Sequence, residues 1–287
     1  MSHRGHLGQK LLQSLEESLG LGEYIAAAKS GTVSLKYCRK RLRRSFTRKC
    51  QFNWSKIFSS ACQRAKGTKS RDELPLKLEL AAGTGDWIIA QAIADKGRAN
   101  WAALELRHDR VCAILSRMVF RAVENLAVIG GEGTSLLQTH IKACSVAHIF
   151  VNYPEPPHRT GDADSDAIHM LTNDFFRAAH QALEAYGKLT IFSDNLRYCR
   201  SLATCIGKLC CEETPSNVLF ASTLLRGEGY AGNYEEHQGI HVQFGTPGEL
   251  GGHLVHEQSY FERFFDARPE WESGKHVDRY FIVIQKQ

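Results

Sequence analysis

Leu78-Glu79-Leu80-Ala81-Ala82-Gly83-Thr84-Gly85-Asp86 is the stretch that decides the fold. It runs from apolar strand-type sequence into a turn with two glycines, and a helix is expected to follow. Glycine lets the backbone bend tightly and approach a ligand with no Cβ in the way, and a helix start offers unsatisfied N–H groups. A dinucleotide-binding turn would read G-x-G-x-x-G. Here the order is Glu79-x-Ala81-x-Gly83-x-Gly85, with no third glycine at the helix-packing position. Taken alone, an ordinary strand-to-helix turn also accounts for it.

The units downstream narrow the choice. Ala99-Asn100-Trp101-Ala102-Ala103-Leu104-Glu105-Leu106 is apolar enough for an internal parallel strand, and its acid lies about 20 residues beyond the glycine turn. Glu105 can there accept hydrogen bonds from both ribose hydroxyls of a nucleoside, or simply be a solvated acid at a helix start. Asn125-Leu126-Ala127-Val128-Ile129-Gly130-Gly131-Glu132 again ends in an acid, placed to accept from an adenine amine. Next, His148-Ile149-Phe150-Val151-Asn152-Tyr153-Pro154-Glu155 stops in a polar, proline-stiffened turn that continues through Pro156-Pro157-His158-Arg159. Strand ends of this kind are where α/β proteins place their chemistry.

The alternation continues through Lys188 to Asp194, Val218 to Leu225 and Arg279 to Ile284. Seven strands with interleaved helices predict a doubly wound α/β sheet, its last strand inserted antiparallel. Residues 226–256 hold eight glycines and four histidines and read as a long surface loop. They carry no carboxylate-anchored histidine signature, so no metal is assigned. The polar run Gly67 to Leu74 is the expected linker between an extension (1–74) and the α/β domain (75–287).

The 287 residues are 43% apolar, enough for a sizeable core, and contain no apolar run of 18. Met1-Ser2-His3-Arg4-Gly5-His6 lacks the apolar core of a secretory signal. Nine cysteines include no C-x-x-C pair, which predicts reduced thiols, no disulfide and an intracellular place, cytoplasmic or nuclear, with a mitochondrial one open. No membrane partner is expected.

The net charge of +5 is unevenly spread. Residues 24–71 hold fourteen lysines and arginines and no acid, so the other 239 residues sum to −9. Cys38, Leu42, Phe46, Cys50, Trp54 and Phe58 recur every four residues, which predicts a basic helix with one apolar face. Arg39, Lys40, Arg43 and Arg44 lie on its other faces, suited to RNA phosphates. A solvated basic helix or a transit segment has the same composition.

The order E/D-x-G/A-x-G-x-G resembles motif I of class I S-adenosylmethionine (SAM)-dependent methyltransferases, which are Rossmann-like. Further motifs resemble one family, the tRNA (guanine-N7-)-methyltransferases. These motifs are Ala103-Leu104-Glu105, Asn125 to Glu132, Asn152-Tyr153-Pro154-Glu155-Pro156-Pro157, Ser193-Asp194-Asn195 and Ser259-Tyr260-Phe261-Glu262-Arg263, over about residues 76–285. The resemblance implies a SAM-dependent RNA methyltransferase acting in tRNA modification, with tRNA as partner and, as in some relatives, a non-catalytic protein subunit. It implies SAM contacts from Glu79, Ala81, Gly83, Gly85, Glu105, Glu132, Asn152 and Glu155. Glu155 and Asp194 become the catalytic pair, and Arg159, Asp194, Ser259 and Glu262 the substrate contacts.

Several positions depart from the family pattern. Glu155 replaces the usual aspartate, Pro157 the aromatic and Ser259 the threonine, and Gly161-Asp162-Ala163-Asp164-Ser165-Asp166 stands where basic residues normally follow. Two alternatives therefore stay open: an RNA- or ribonucleoprotein-binding relative with weak or no activity, and a SAM methyltransferase for another substrate.

Overall fold

A computed structural model describes residues 45–58, 74–157, 169–212, 219–225, 233–255 and 279–287. In chain order they form α1 (Trp54–Phe58), β1 (Leu76–Leu80), α2 (Asp86–Ala94), β2 (Asn100–Glu105), α3 (His108–Phe120), β3 (Leu126–Gly130), α4 (Gly133–Thr139) and β4 (Val146–Asn152). There follow α5 (Asn173–Ala182), β5 (Leu183–Ser193), α6 (Leu196–Glu212), β6 (Phe220–Ser222), β7 (Tyr234–His237), β8 (Ile240–Phe244) and β9 (Tyr280–Lys286).

β1 to β5 are parallel and lie in the order β3-β2-β1-β4-β5, so the winding reverses between β1 and β4. The period of two in each strand sorts side chains between two apolar layers. Leu78, Leu80, Leu104, Ile149, Val151 and Ile191 face the layer holding Leu136 of α4, Phe175 and Phe176 of α5 and Leu202 and Ile206 of α6. Trp101, Ala103 and Phe150 face the other way, against Trp87 and Ile88 of α2 and Ile114 and Met118 of α3. Helices on both faces explain why these strands read as nearly continuous apolar runs.

All seven expected strands are present, and the last does insert antiparallel beside β5. Two more, β7 and β8, bring the sheet to nine strands among the described residues. They correct the reading of 226–256 as a surface loop, because Gln238-Gly239 turns a hairpin whose β8 pairs with β9 at Gln243↔Phe281 and Phe244↔Tyr280. The hairpin is fixed to α6 by a bidentate pair from Arg200 to Glu235, with both contacts 2.6 Å. The guanidinium holds that carboxyl well below the usual carboxylate range. Gly207 of α6 makes room for the turn, since a Cβ there would lie 2.6 Å from the Gln238 carbonyl oxygen.

A second part of 226–256 covers the α2 side of the sheet. Gln91 of α2 accepts from Leu254 N and donates to Val255 O, each at 2.8 Å. Thr190 Oγ1 donates to Gly251 O at 3.0 Å, so in the 2.8 Å contact with His148 Nε2 the ring is the donor. Burial, followed by the nearby Lys77 and Lys188 charges and His253, keeps His148 neutral by lowering its pKa well below the ordinary histidine value.

The four-residue apolar spacing predicted one helix through Phe58. Among the described residues of that stretch only Trp54–Phe58 is helical. Phe46 and Phe52 form an antiparallel bridge around a turn in which Cys50 is exposed with φ +59°. Phe52 N donates to His140 O at 2.7 Å, and the His140 ring donates Nδ1–H to Cys50 O at 2.7 Å. The rings of Phe46 and Phe52 lie 5.2 Å apart, and Phe52 and Phe58 join the core. Bonds and ring contacts to the end of α4 outweigh the helical preference of a short, half-exposed segment. Phe52→Ala is expected to lower the stability of the domain by about 3 kcal/mol. An unchanged urea midpoint would mean that 45–58 is not docked in solution.

Candidate cofactor and active site

The parallel strands end level. Leu80 is in register with Leu104 and Val151, Leu104 with Ile129, and Val151 with Ile191. One step further along, Glu105 and Asn152 stand on the same face of the sheet as Glu79, because Leu80, Leu104 and Val151 all point the opposite way. The crevice beyond these carboxyl ends, at the reversal between β1 and β4, is where open α/β sheets bind ligands.

Glu79 and Asn152 form its floor. Asn152 Nδ2 donates to Glu79 Oε1 at 2.8 Å, joining β1 to β4. Glu79 is 3% exposed. Its second oxygen and the amide oxygen of Asn152 are both buried and find no donor within the described protein. Burial raises the Glu79 pKa from 4.5 to about 8; the Asn152 bond opposes this, and the charges of Glu105 and Asp86 add to it. Two adjacent acceptors without donors fit a ligand that brings N–H or ammonium groups.

The turn above them is shaped by its neighbours. Ala81, Gly83 and Gly85 have φ of +54°, +58° and +79°. A Cβ on Gly83 would meet nothing within 4 Å, which leaves that backbone open to close approach, whereas one on Gly85 would lie 2.7 Å from Ile114 of α3. Glu105, 3% exposed, accepts from Gly83 N at 2.8 Å with one oxygen and from Arg107 N at 2.9 Å with the other. A carboxylate has about four acceptor positions, so Glu105 holds the turn and still has lone pairs for hydroxyl groups.

Glu132 is exposed and caps α4, accepting from Thr134 N at 2.8 Å and Ser135 N at 2.7 Å. Glu155 is exposed beyond buried Pro154. Tyr153 between them and the strand has φ +51° and packs on Phe192 at 5.0 Å. Asp194 is half-buried at the end of β5, and the residue that caps α6 is Asn195, whose Oδ1 accepts from Tyr198 N at 3.0 Å. Arg39, Lys40, Arg43, Arg44, Arg159, Ser259 and Glu262 lie outside the described residues. Among the described residues no group of three or more histidines, cysteines or acids is arranged to hold a metal, and no helix is long and apolar enough to cross a membrane.

Arg117 of α3 was missed by sequence reasoning. It donates through Nη1 to Thr84 O, and to Asp86 Oδ2 at 2.8 Å, while Thr84 Oγ1 donates to the same oxygen at 2.6 Å. A lone arginine 31 residues from its partner carries no local signal.

The burial of Glu79 has a measurable consequence. Its folded pKa is raised, so its contribution to stability is fully present below pH 4.5 and is lost as pH rises through about 8. Glu79→Gln removes this dependence, and its stability relative to the parent is expected to rise by up to about 1.4 kcal/mol per pH unit across that window. Urea midpoints that differ by a constant amount at every pH would show that the carboxyl is solvated.

A family model described as "Putative methyltransferase" matches residues 73–223. Over 129 residues the chain is 34% identical to the tRNA (guanine-N(7)-)-methyltransferase of Chlamydia trachomatis serovar D, a match covering 43% of this chain and 54% of that protein. The enzyme of the same name from Chlamydia muridarum is 34% identical over 132 residues, 44% and 55% of the two chains. The chain thus spans about half the length of the curated relatives it matches. Among solved structures, TrmN from Thermus thermophilus aligns with a TM-score of 0.43 at 16% identity, covering 76% of this chain and 46% of that one. Since the family model spans more than half of the 287 residues, this α/β, Rossmann-like chain belongs to that methyltransferase family.

Proposed function

We propose that this chain transfers a methyl group from SAM to N7 of a guanine in RNA, with tRNA as the substrate class, as the names of its relatives suggest. The observation that carries the reading is the pair of donor-less buried acceptors on Glu79 and Asn152, set below an open Gly83 at the switch point of the sheet. When bound, SAM supplies a methyl group already activated on a sulfonium.

Glu79 and Asn152 hold the ammonium end of such a ligand, and an ammonium there favours the charged form of Glu79. Glu105 would take the ribose hydroxyls with its remaining lone pairs, and Glu132, which also caps α4, would be the acid offered to the adenine amine. Gly83 leaves the backbone open to the cofactor, and Ala81 and Gly85 give the turn its shape beside it.

Guanine N7 carries an in-plane lone pair and is an acceptor in the neutral base, so it attacks without first losing a proton. Transfer would break the methyl–sulfur bond as the methyl–N7 bond forms, leaving a neutral thioether and the positive charge on the base, so no general base would be needed. The protein's task is to hold nucleophile, methyl and sulfur in line, an effect that supplies on the order of 7–11 kcal/mol in favourable cases. Carboxylates suit the work, because N1–H and the N2 amine of guanine pair with one carboxylate in a bidentate way. Asp194 and Glu155 stand at adjacent strand ends on β5 and β4 for this purpose. Arg159, Ser259 and Glu262 are assigned to the rest of the guanosine, and Arg39, Lys40, Arg43 and Arg44 to phosphates. A separate non-catalytic subunit, as the family resemblance implies for some members, is a partner to look for in cells.

Incubation with tritium-labelled SAM and total small RNA, followed by digestion to nucleosides, is expected to place label in 7-methylguanosine. Label in another nucleoside would overturn the guanine assignment, and neither label nor SAM binding by calorimetry would overturn the reading altogether, leaving an RNA-binding scaffold. Glu155→Gln, which removes the charge and keeps the shape, is expected to lower turnover sharply in a domain that stays folded, and a fully active variant would overturn its role. Gly83→Val is expected to abolish SAM binding in a folded protein.

A further inference from the structure

The turn 81–85 makes few bonds of its own. Within it, Gly85 N donates to Ala82 O at 2.9 Å, and its remaining backbone shape is set from outside. Glu105 at the end of β2 accepts from the N–H of Gly83, and Arg117 in α3 donates a hydrogen bond to the carbonyl of Thr84. The two partners grip consecutive residues from the two elements of one strand–helix unit. Ile114, one helical turn before Arg117, fills the space against Gly85 that a Cβ would need. The Arg117 side chain is 38% exposed and Asp86 11%, and their 2.8 Å contact neutralises the cation. The guanidinium can therefore sit beside the turn without opposing a positively charged ligand.

We propose that Arg117 is a positioning residue for the cofactor: through the Thr84 carbonyl and Asp86 it fixes the glycine turn in the shape that receives the ligand. The inference rests on the SAM reading above. Three positive φ angles in five residues are a conformation that the chain does not hold unaided, since Ala81 is strained there and glycine is free to leave it. Preorganisation by Arg117 removes that ordering cost from binding. Both bonds leave from one nitrogen, Nη1, so a lysine ammonium, with three donors on one nitrogen, is able to reproduce part of the contact.

The test is SAM affinity by calorimetry together with the urea midpoint of the ligand-free protein, for the parent and for Arg117→Met, Arg117→Lys and Arg98→Met. Arg98, an exposed partner of Asp95 near the far end of α2, is the control. Arg117→Met is expected to weaken SAM binding roughly tenfold or more, with a urea midpoint like that of Arg98→Met, and Arg117→Lys to recover part of the affinity. A folded Arg117→Met with parental affinity overturns the inference. So does an affinity that falls only in proportion to the urea midpoint, which marks a merely structural role. If Arg117→Met does not fold, Arg117→Gln replaces it under the same criteria. A parent chain that binds no SAM overturns the cofactor reading and this inference with it, whereas parental binding with an indifferent Arg117 overturns this inference alone.

Discussion

The hydrogen bond from Asn152 to Glu79 crosses the one place in the sheet where the winding changes direction. On one side of it the connections run through α2 and α3, and on the other through α4 and α5, so their packing parts there and leaves a crevice. A carboxyl group at the bottom of that crevice is shielded from water by the strands on either side. Its position is tolerable because it can stay neutral and because the neighbouring amide binds it. Everything proposed for the site is arranged around this pair: the turn that begins two residues after Glu79, Glu105 on the next strand, and the polar turn that begins at Asn152.

Much of this was legible in the sequence because a strand's period of two leaves no freedom. Once Leu78 and Leu80 face one layer, Glu79 faces the other, and the same parity places Glu105 and Asn152 beside it. The acids at the ends of the apolar runs therefore marked both the level of the site and its face. Period and level say nothing about occupation. Glu132 fell where expected, yet its carboxylate is engaged in capping α4, a use that every acid before a helix shares.

The misreadings have a common physical source in tertiary contacts overriding local pattern. Tyr234-Glu235-Glu236-His237 is too polar to announce a strand, and it becomes one because β8 offers it a partner and Arg200 binds its first acid. The four-residue apolar rhythm before Phe58 is genuine, but Phe46 and Phe52 meet each other and His140 more closely than one helix would allow. Arg117 belongs to the same class. Its meaning lies wholly in a contact between α3 and a turn far away in the chain.

The close approach of α6 to the hairpin depends on the missing side chain at Gly207. Glycine inside a helix is unfavourable by about 1 kcal/mol relative to alanine, so α6 alone is weaker for having it. The outer strands gain what the helix loses, since the backbone at Gln238 nests where a methyl group would stand. A single methyl at this point would act as a wedge, strengthening the helix while prising the β7–β8 hairpin away from it. Local and global stability are set against each other at one atom, and the edge of the sheet is the part that gives way.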